Sequence, residues 1–328
     1  MQHYLITGGA GFIGNQLIRT LFRQNPFIKV TNIDNFDNFY PREIKENNIE
    51  GFGLNPGYSL IRKDISLLSA NELNDLIPQQ VDVIIHLAAK AGVRPSIENP
   101  IQYQQANITA LQNLLDFARL KQVKQFVFAS SSSVYGINNH YPWTETEPLL
   151  PISPYAMTKL SGEALGHVYS HLYNIRFIAL RLFTVYGPSQ RPDLAIHKFT
   201  SAIMQDQPIH MYGDGLSSRD YTYVEDIVNG IISATQYEQS PFEIFNLGNN
   251  YSISLNEMIH TIEMVTGKQA KIVRFSDQAG DVMKTAADIS KAERLLGYFP
   301  KTEFKQGVEK FFQWFNQYKD LLIEKQIA

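Results

Sequence analysis

Short apolar runs alternate with amphipathic stretches through the first half of the chain. The apolar runs are rich in β-branched or aromatic residues, which is typical of buried strands. They lie at residues 5–6, 27–33, 58–61, 81–87, 126–129 and 175–182. Helical patterns separate them at 12–23, 69–76, 101–120 and 155–173. This alternation predicts an α/β fold, in which a doubly wound parallel sheet carries helices on both faces.

The pattern weakens after Gly187, where prolines and glycines interrupt it. We therefore expect residues 1–187 to form one domain and residues 188–328 to form mainly a second, smaller and loop-rich one. An apolar run near 243–248 predicts a strand that returns to the first sheet, so the C-terminal domain would be discontinuous. The aromatic run at 311–315 predicts a helix packed on the core.

Composition excludes several classes of protein. The 328 residues include no cysteine, which excludes a disulfide scaffold, a thiolate zinc site and a cysteine nucleophile. The 29 basic and 32 acidic residues give a net charge of −3, so there is no electrostatic case for a nucleic-acid binder. No apolar run approaches the ~18 residues of a membrane span. Residues 1–5 lack the basic and apolar regions of a signal peptide, and we expect a cytoplasmic protein.

A glycine-rich turn follows the first apolar run and opens the first helix. Gly8, Gly9, Gly11 and Gly14 fit both G-x-G-x-x-G and G-x-x-G-x-x-G. Such a turn lets a pyrophosphate reach backbone N–H groups at the helix N-terminus. Asp34 ends the second strand, 20 residues after Gly14. A carboxylate at this position accepts hydrogen bonds from the ribose hydroxyls of a dinucleotide and repels a 2′-phosphate. This arrangement predicts a Rossmann-like dinucleotide site that prefers NAD to NADP.

A tyrosine and a lysine indicate the reacting groups. Tyr155 and Lys159 are spaced i, i+4 and share one helix face. A nearby ammonium lowers the pKa of a phenol, so Tyr155 is a candidate general base. The serines at 130–133 follow a buried strand, at the sheet edge where ligands bind in such folds. A serine hydroxyl there can hydrogen-bond a reacting sugar oxygen.

With these motifs in this order, the chain resembles the extended short-chain dehydrogenase/reductase family over nearly its whole length. Further matching segments lie at 86–89, 134–136, 181–188 and 219–221, together with Asn107. Within the family, the chain looks like the nucleotide-sugar 4-epimerases, and most like those acting on UDP-glucuronate. Three segments carry this narrower resemblance, at 88–94, 183–195 and 278–282.

The resemblance implies a set of site residues. Catalysis would use Tyr155, Lys159 and Ser131. NAD would contact Gly8, Gly11, Phe12, Ile13, Gly14, Asp34, Asn35, Asp64, Ile65, Leu87, Ala88, Ala89, Lys90, Asn107, Ser130, Tyr155 and Lys159. The UDP-sugar would contact Arg94, Ser131, Ser132, Ser133, Thr184, Arg191, Lys198, Arg219 and Asp281. No spacing of His, Asp or Glu predicts a metal site.

By resemblance, Tyr155 takes the proton from the sugar 4-hydroxyl while the C4 hydride passes to NAD. The 4-keto sugar then turns over, and the return of hydride and proton inverts C4. Arg191 would clamp the uronate carboxylate bidentately, with Thr184 assisting. Relatives often have an arginine at the position of Gln278, which leaves Arg219 as the main cation for the diphosphate.

Other functions remain open at this point. A UDP-glucose or UDP-N-acetylglucosamine 4-epimerase is the main rival, and a product-releasing reductase is hard to separate by sequence. A dehydratase or decarboxylase would carry an acidic residue where Ser132 and Ser133 stand. A non-enzymatic NAD sensor could dispense with Tyr155 and Lys159. The resemblance also implies a homodimer built on helices 101–120 and 155–173, and a role in polysaccharide biosynthesis.

Overall fold

Twelve strands are defined in the computed structural model, which describes residues 1–276, 282–319 and 322. In chain order they are β1 His3–Thr7, β2 Lys29–Ile33, β3 Tyr58–Ile61, β4 Val83–His86, β5 Gln125–Ser131, β6 Arg176–Leu182, β7 Thr184–Tyr186, β8 Pro208–Tyr212, β9 Ser218–Tyr223, β10 Phe242–Leu247, β11 Ser252–Ser254 and β12 Lys271–Phe275. Seven of them form a sheet in the order β10-β6-β5-β4-β1-β2-β3, and every neighbouring pair is parallel.

The described residues also contain twelve α-helices. They are α1 Phe12–Gln24, α2 Arg42–Asn48, α3 Ala70–Leu76, α4 Val93–Glu98, α5 Pro100–Gln104, α6 Ala110–Leu120, α7 Pro154–Tyr173, α8 Ala195–Met204, α9 Val224–Thr235, α10 Leu255–Thr266, α11 Ser290–Leu296 and α12 Phe304–Gln317.

Both faces of the large sheet are buried. Successive side chains of β1 alternate between two apolar clusters, with Tyr4 and Ile6 in one and Leu5 in the other. All three are at most 5% exposed, because helices cover each face. The doubly wound α/β fold predicted from the sequence is confirmed. The chain order reverses between β1 and β4, so a ligand crevice is expected at their carboxyl ends.

The helix predicted at 101–120 contains a change of winding. A π-helical turn at Gln105–Thr109 separates α5 from α6. In a π turn the backbone hydrogen bonds span five residues instead of the four of an α-helix, so the turn holds about one more residue. Such turns are frequent at functional sites. It contains the buried Asn107, whose side chain bonds to the Lys90 backbone: Lys90 N–H donates to Asn107 Oδ1 at 2.8 Å, and Asn107 Nδ2 donates to Lys90 O at 3.0 Å.

The region after Gly187 is not loop-rich, which corrects the sequence prediction. It contains the helices α8 to α12, the strands β9 and β11, which join β7 in a three-stranded sheet of order β11-β9-β7, and the parallel pair β12-β8. The prolines and glycines there separate short elements, and strands of three to six residues are too short to give a clear period. The strand β10 pairs with β6 at the edge of the large sheet. The helix predicted at 311–315 is confirmed within α12, where Phe311 and Phe315 are fully buried.

A buried ion pair fixes α7 to the large sheet. Arg181 of β6 donates from Nε and Nη2 to the carboxylate of Glu163 at 3.0 and 2.8 Å, and both side chains are at most 4% exposed. The hydroxyl of Ser130 donates to the same carboxylate, and Arg181 Nη1 donates to Tyr135 Oη at 3.0 Å. Each charge therefore has hydrogen-bonded partners inside the protein.

We predict that Glu163→Gln destabilises the fold. The substitution keeps the size of the side chain but leaves the Arg181 charge buried without a counterion, which costs about 3–5 kcal/mol. Urea unfolding of both proteins measures this difference. Glu225→Gln is the matched control, because the Glu225–Arg23 pair is exposed and such pairs contribute about 0–1 kcal/mol. Equal free energies of unfolding for the two variants would contradict the prediction.

Candidate active site

A cavity of about 560 Å³ lies at the carboxyl edge of the large sheet. Its walls come from the segments that follow β1, β2, β3, β4, β5 and β6, so it spans the point where the chain order reverses. Both the glycine turn and the pair Tyr155 and Lys159 line it. The fold therefore places the two predicted motifs in one crevice.

The glycine turn forms a close-packed entry to α1. Gly8 has φ +74°, and a Cβ there would lie 2.8 Å from the backbone N of Ala88. A Cβ at Gly14 would lie 2.7 Å from Gly9 Cα. A side chain at Gly8 would therefore push the turn away from the segment after β4, and one at Gly14 would push the helix away from the turn. Gly11 caps the helix without a side-chain hydrogen bond, and Gly11 through Gly14 line the cavity. Backbone N–H groups are thus available to a phosphate.

Asp34 lies beside this turn and is 7% exposed. Its Oδ2 accepts from Ala10 N–H at 3.0 Å and its Oδ1 from Phe36 N–H at 2.9 Å. Burial raises the pKa of Asp34, while these hydrogen bonds and the Lys45 ammonium oppose the rise. Each carboxylate oxygen can accept a second hydrogen bond, so Asp34 fits a diol such as a ribose. With the glycine turn, it makes the residues fit a dinucleotide.

Most of the other residues predicted to contact NAD also line this cavity. They are Phe12, Ile13, Asn35, Asp64, Ile65, Leu87, Ala88, Ala89, Lys90 and Ser130. Asn35 Nδ2 donates to Asp64 Oδ2 at 2.9 Å, which joins the segments after β2 and β3. Asn107 is absent from the cavity wall and instead holds the Lys90 backbone.

Tyr155 and Lys159 meet the cavity one helical turn apart. Lys159 Nζ donates to Ala129 O at 2.7 Å and lies 5.9 Å from the centre of the Tyr155 ring. Burial lowers the pKa of Lys159 to about 7. The sequence predicts that Lys159 lowers the pKa of Tyr155, but in the structure burial raises the pKa of Tyr155. The groups that act against this rise are a hydrogen bond with Ser131 and the charge of Arg191.

The serines that follow β5 line the cavity beside α7. Ser131 Oγ donates to Ser133 Oγ and accepts from Ser133 N–H, both at 3.1 Å, which closes a 3₁₀ turn at Ser132–Tyr135. Ser131, Ser132 and Ser133 all line the cavity. Ser132 and Ser133 also line a second cavity of about 170 Å³, together with Thr184 and Arg219. The shared residues show that the two cavities adjoin.

Two residues predicted to contact the substrate lie away from both cavities. Arg94 is exposed, with its guanidinium 5.5 Å from the centre of the Tyr212 ring, and Lys198 is exposed on α8. Neither lines the two cavities, because each side chain lies on a side of its helix that faces away from them. Asp281 and the segment 277–281 lie outside the described residues.

Arg191 lines the large cavity together with Thr184, but its guanidinium already has a partner. Nε donates to Asp193 Oδ1 at 2.9 Å and Nη2 donates to Asp193 Oδ2 at 2.8 Å. Asp193 therefore occupies one edge of the guanidinium in this structure, and the bidentate clamp on a ligand carboxylate stays a prediction. Phe39 packs against the group, with its ring centre 5.3 Å from the guanidinium carbon.

Comparisons with known proteins identify the family. A sequence profile of GDP-mannose 4,6 dehydratase matches residues 5–311. A UDP-glucuronate 4-epimerase of Thermodesulfobacterium geofontis is 36% identical over 324 residues, or 98% of each chain. The Bacillus cereus UDP-glucuronic acid 4-epimerase, solved with UDP-glucuronic acid and NAD, has a TM-score of 0.89 at 36% identity, covering 96% of this chain and 99% of that one. This chain belongs to the nucleotide-sugar epimerases of the extended short-chain dehydrogenase/reductase family.

A second solved member of the family bears on substrate choice. A UDP-N-acetylglucosamine 4-epimerase of Methanobrevibacter ruminantium, in complex with UDP-N-acetylmuramic acid, has a TM-score of 0.87 at 30% identity. The match covers 96% of this chain and 98% of that one. Solved structures that are closely similar to this chain therefore include epimerases named for different UDP-sugars.

Sequence reasoning missed several charged residues of this epimerase cavity. Lys45 is 6% exposed and donates from Nζ to Asp37 O, while Lys90 Nζ forms an ion pair with Asp37 Oδ2 at 2.9 Å. Asp37, Lys45 and Asp193 all line the cavity. Asp37 lies three residues after Asp34, and Asp193 lies two residues after Arg191. This closeness to predicted site residues could have marked both as members of the site. Nothing in the sequence marks Lys45, because its position depends on how α2 packs.

Two further observations concern only the described part of the chain. No three His, Asp or Glu side chains there lie close enough to hold a metal ion. Among the same residues, no helix is both long and apolar enough to cross a bilayer.

The buried His86 pairs with Thr7, with Nδ1 and Oγ1 2.7 Å apart. It is therefore a structural residue at the end of β4.

We predict that Lys159 makes the stability of the nucleotide-free protein depend on pH. The unfolded chain binds the Lys159 proton up to about pH 10.5, but the folded protein binds it only up to about pH 7. The unfolded state therefore binds more protons between these values, and the free energy of unfolding rises with pH across the window. Lys159→Met removes this contribution. Urea unfolding at several pH values should show a wild-type minus variant difference that increases with pH above 7; a constant difference would contradict the prediction.

Proposed function

We propose that this protein is an NAD-dependent epimerase that inverts C4 of UDP-glucuronate to give UDP-galacturonate. One observation carries the proposal. Tyr155 and Ser131 line the same cavity as Thr184 and Arg191, so hydroxyl and guanidinium donors surround the position of a reacting sugar. The relatives named UDP-glucuronate 4-epimerase support this substrate.

The residues assign the proton transfers of this reaction. The glycine turn and Asp34 would hold NAD, which would supply the hydride transfer chemistry at C4. Tyr155 Oη takes the proton of the 4-hydroxyl and later gives it back, while Ser131, its hydrogen-bond partner, orients O4. Because burial raises the pKa of Tyr155, the phenolate depends on cationic neighbours and on Ser131. Lys159, when protonated, supplies a positive charge 5.9 Å from the ring.

A uronate brings a side reaction that the site must suppress. After oxidation at C4 the sugar is a β-keto acid, which loses CO₂ when the bond from C5 to the carboxylate aligns with the carbonyl π system. Donors that hold the carboxylate out of this alignment prevent the loss. The donors that line the cavity include Arg191, Thr184, Ser132 and Ser133. We assign the carboxylate to these residues and the diphosphate to Arg219.

Two rival reactions are less well supported. The matching profile describes a dehydratase, but elimination from a 4-keto sugar needs an additional acid and base. Ser132 and Ser133 occupy the position where the sequence comparison expects a carboxylate for that step. A UDP-glucose or UDP-N-acetylglucosamine 4-epimerase would share the Tyr155 chemistry, but would have no carboxylate for Arg191 to bind.

We also propose that two parts of the chain bind the two ligands and that the protein is a homodimer. Residues 1–187 with the strand near 243–248 would bind NAD, and residues 188–328 would mainly bind the UDP-sugar. The dimer would use α5, α6 and α7, as expected by resemblance. Exposed apolar side chains on these helices support it: Ile101, Leu120, Val168 and Leu172 are 70%, 49%, 46% and 59% exposed. Cytoplasmic location and a role in polysaccharide biosynthesis remain predictions from the sequence.

The substrate assignment predicts a preference among three UDP-sugars. Purified protein incubated separately with UDP-glucuronate, UDP-glucose and UDP-N-acetylglucosamine should interconvert the first with its C4 epimer at the highest kcat/KM. NMR resolves the C4 epimers and also detects any pentose product of decarboxylation. A higher kcat/KM for either neutral sugar would overturn the substrate assignment.

Tyr155→Phe is the control for this assay. It keeps the ring and removes the ionisable oxygen, and general acid–base catalysis is worth about 10²–10⁴-fold in rate. Turnover should fall by that amount while UDP-glucuronate still binds. Turnover close to wild type would show that another residue is the base.

The homodimer proposal predicts that a charge on its apolar surface separates the subunits. Light scattering of the wild type should give twice the mass of the 37.4 kDa chain. Ile101→Glu should give the single-chain mass, because the charge would be buried without a partner. Met264→Glu on α10 is the matched control, since Met264 is also exposed, at 51%, but lies on another helix. A monomeric wild type would refute the proposal.

A further inference from the structure

Arg191 and Asp193 form a closed ion pair at the sugar end of the large cavity. The pair uses the Nε and Nη2 edge of the guanidinium, at 2.9 and 2.8 Å. Both residues line the cavity together with Tyr155. The side chains are 19% and 38% exposed, so Arg191 is the more enclosed partner. A second carboxylate that binds the Nε and Nη2 edge bidentately must displace Asp193 from it.

The backbone that carries this pair is anchored on both sides. Gln190 N–H donates to Gly187 O at 3.1 Å, and Leu194 N–H donates to Arg191 O at 3.2 Å. The imidazole Nδ1 of the fully buried His197 donates to Gln190 O at 2.7 Å. Only Pro192 separates the two residues in sequence, so their side chains can part and pair again without movement of the loop.

C4 epimerisation of a uronate makes an unusual demand on such an arginine. The 4-keto sugar must turn over between the two hydride transfers, so its carboxylate must leave its donors in midcycle. A guanidinium that is partly removed from water is costly to leave without an anion. A carboxylate held too firmly by Arg191 would therefore slow the turn.

We propose that Asp193 is the exchange partner of Arg191, a residue that determines specificity by pairing with the guanidinium whenever the sugar carboxylate is not on it. This rests on the proposed function. Asp193 keeps Arg191 neutralised before the uronate binds and while the 4-keto sugar turns. It weakens the grip of Arg191 on the substrate, and in return it lowers the barrier to reorientation. A neutral sugar leaves the pair closed throughout the cycle.

Asp193→Asn tests the proposal, because it keeps the shape of the side chain and removes its charge. Arg191 would then hold the uronate more tightly. For UDP-glucuronate we expect KM and kcat each to fall about tenfold, the effect of about one charge-assisted hydrogen bond. Reduced nicotinamide should accumulate during turnover, because the 4-keto state would last longer. The affinity for UDP-glucose, measured by calorimetry, should change less than about twofold, the spread of an unrelated substitution.

Two further variants serve as controls. Asp193→Glu restores a carboxylate and should recover most of the wild-type kcat. Asp206→Asn removes the same charge from an exposed pair with Lys268, outside the two cavities, and should behave as wild type.

Other outcomes would overturn the proposal. A higher KM for UDP-glucuronate in Asp193→Asn would show that Asp193 orients Arg191 for the substrate. Unchanged constants would show that the pair takes no part in turnover. If the wild type converts UDP-glucuronate and the Asp193→Asn variant shows either a higher KM or unchanged constants, only the proposed role of Asp193 is refuted. A wild type that does not convert UDP-glucuronate refutes the proposed function, and this proposal with it.

Discussion

Lys159 and Glu163 lie one turn apart on α7, and both are almost wholly removed from water. A buried charge is tolerated only where hydrogen-bonding partners replace the water that it has lost. Lys159 finds its partner at Ala129 O, at the end of β5, and Glu163 finds Arg181 on β6. These two bonds fix the helix both along the sheet and around its own axis. Tyr155, one turn before Lys159, therefore has a set position at the carboxyl edge.

The sequence was sufficient for those parts of the site that are local in the chain. The glycine turn, Asp34 and the spacing of Tyr155 and Lys159 are short-range patterns whose geometry follows from one turn or one helix face. The first six strands of the large sheet were predictable for the same reason, because each is a compact apolar run. After Gly187 only the strand near 243–248 and the helix at 311–315 were predicted, because the other strands there are short and are stabilised by pairing with distant segments.

Charged residues were the hardest to place from sequence. Lys45 is buried because α2 packs beside the cavity, while Lys198 is exposed because it lies on the solvent side of α8. Both are lysines in helical segments, and only tertiary packing separates them. The pKa of Tyr155 was predicted in the wrong direction for a related reason. The spacing indicates that a lysine is near, but it does not reveal that burial penalises both the ammonium and the phenolate.

The π-helical turn at Gln105–Thr109 links two parts of the molecule that are usually considered separately. It holds Asn107 against the Lys90 backbone at the cavity, and it joins α5, which carries the exposed Ile101, to α6. The wider turn takes up its extra residue locally, so α5 and α6 keep nearly the phase of one continuous helix. Loss of that residue would restore regular α-helical bonding and rearrange the residues of the turn, Asn107 among them, while Ile101 stayed on the outer surface. The contact at the cavity can therefore change in evolution without a change in the surface that α5 presents.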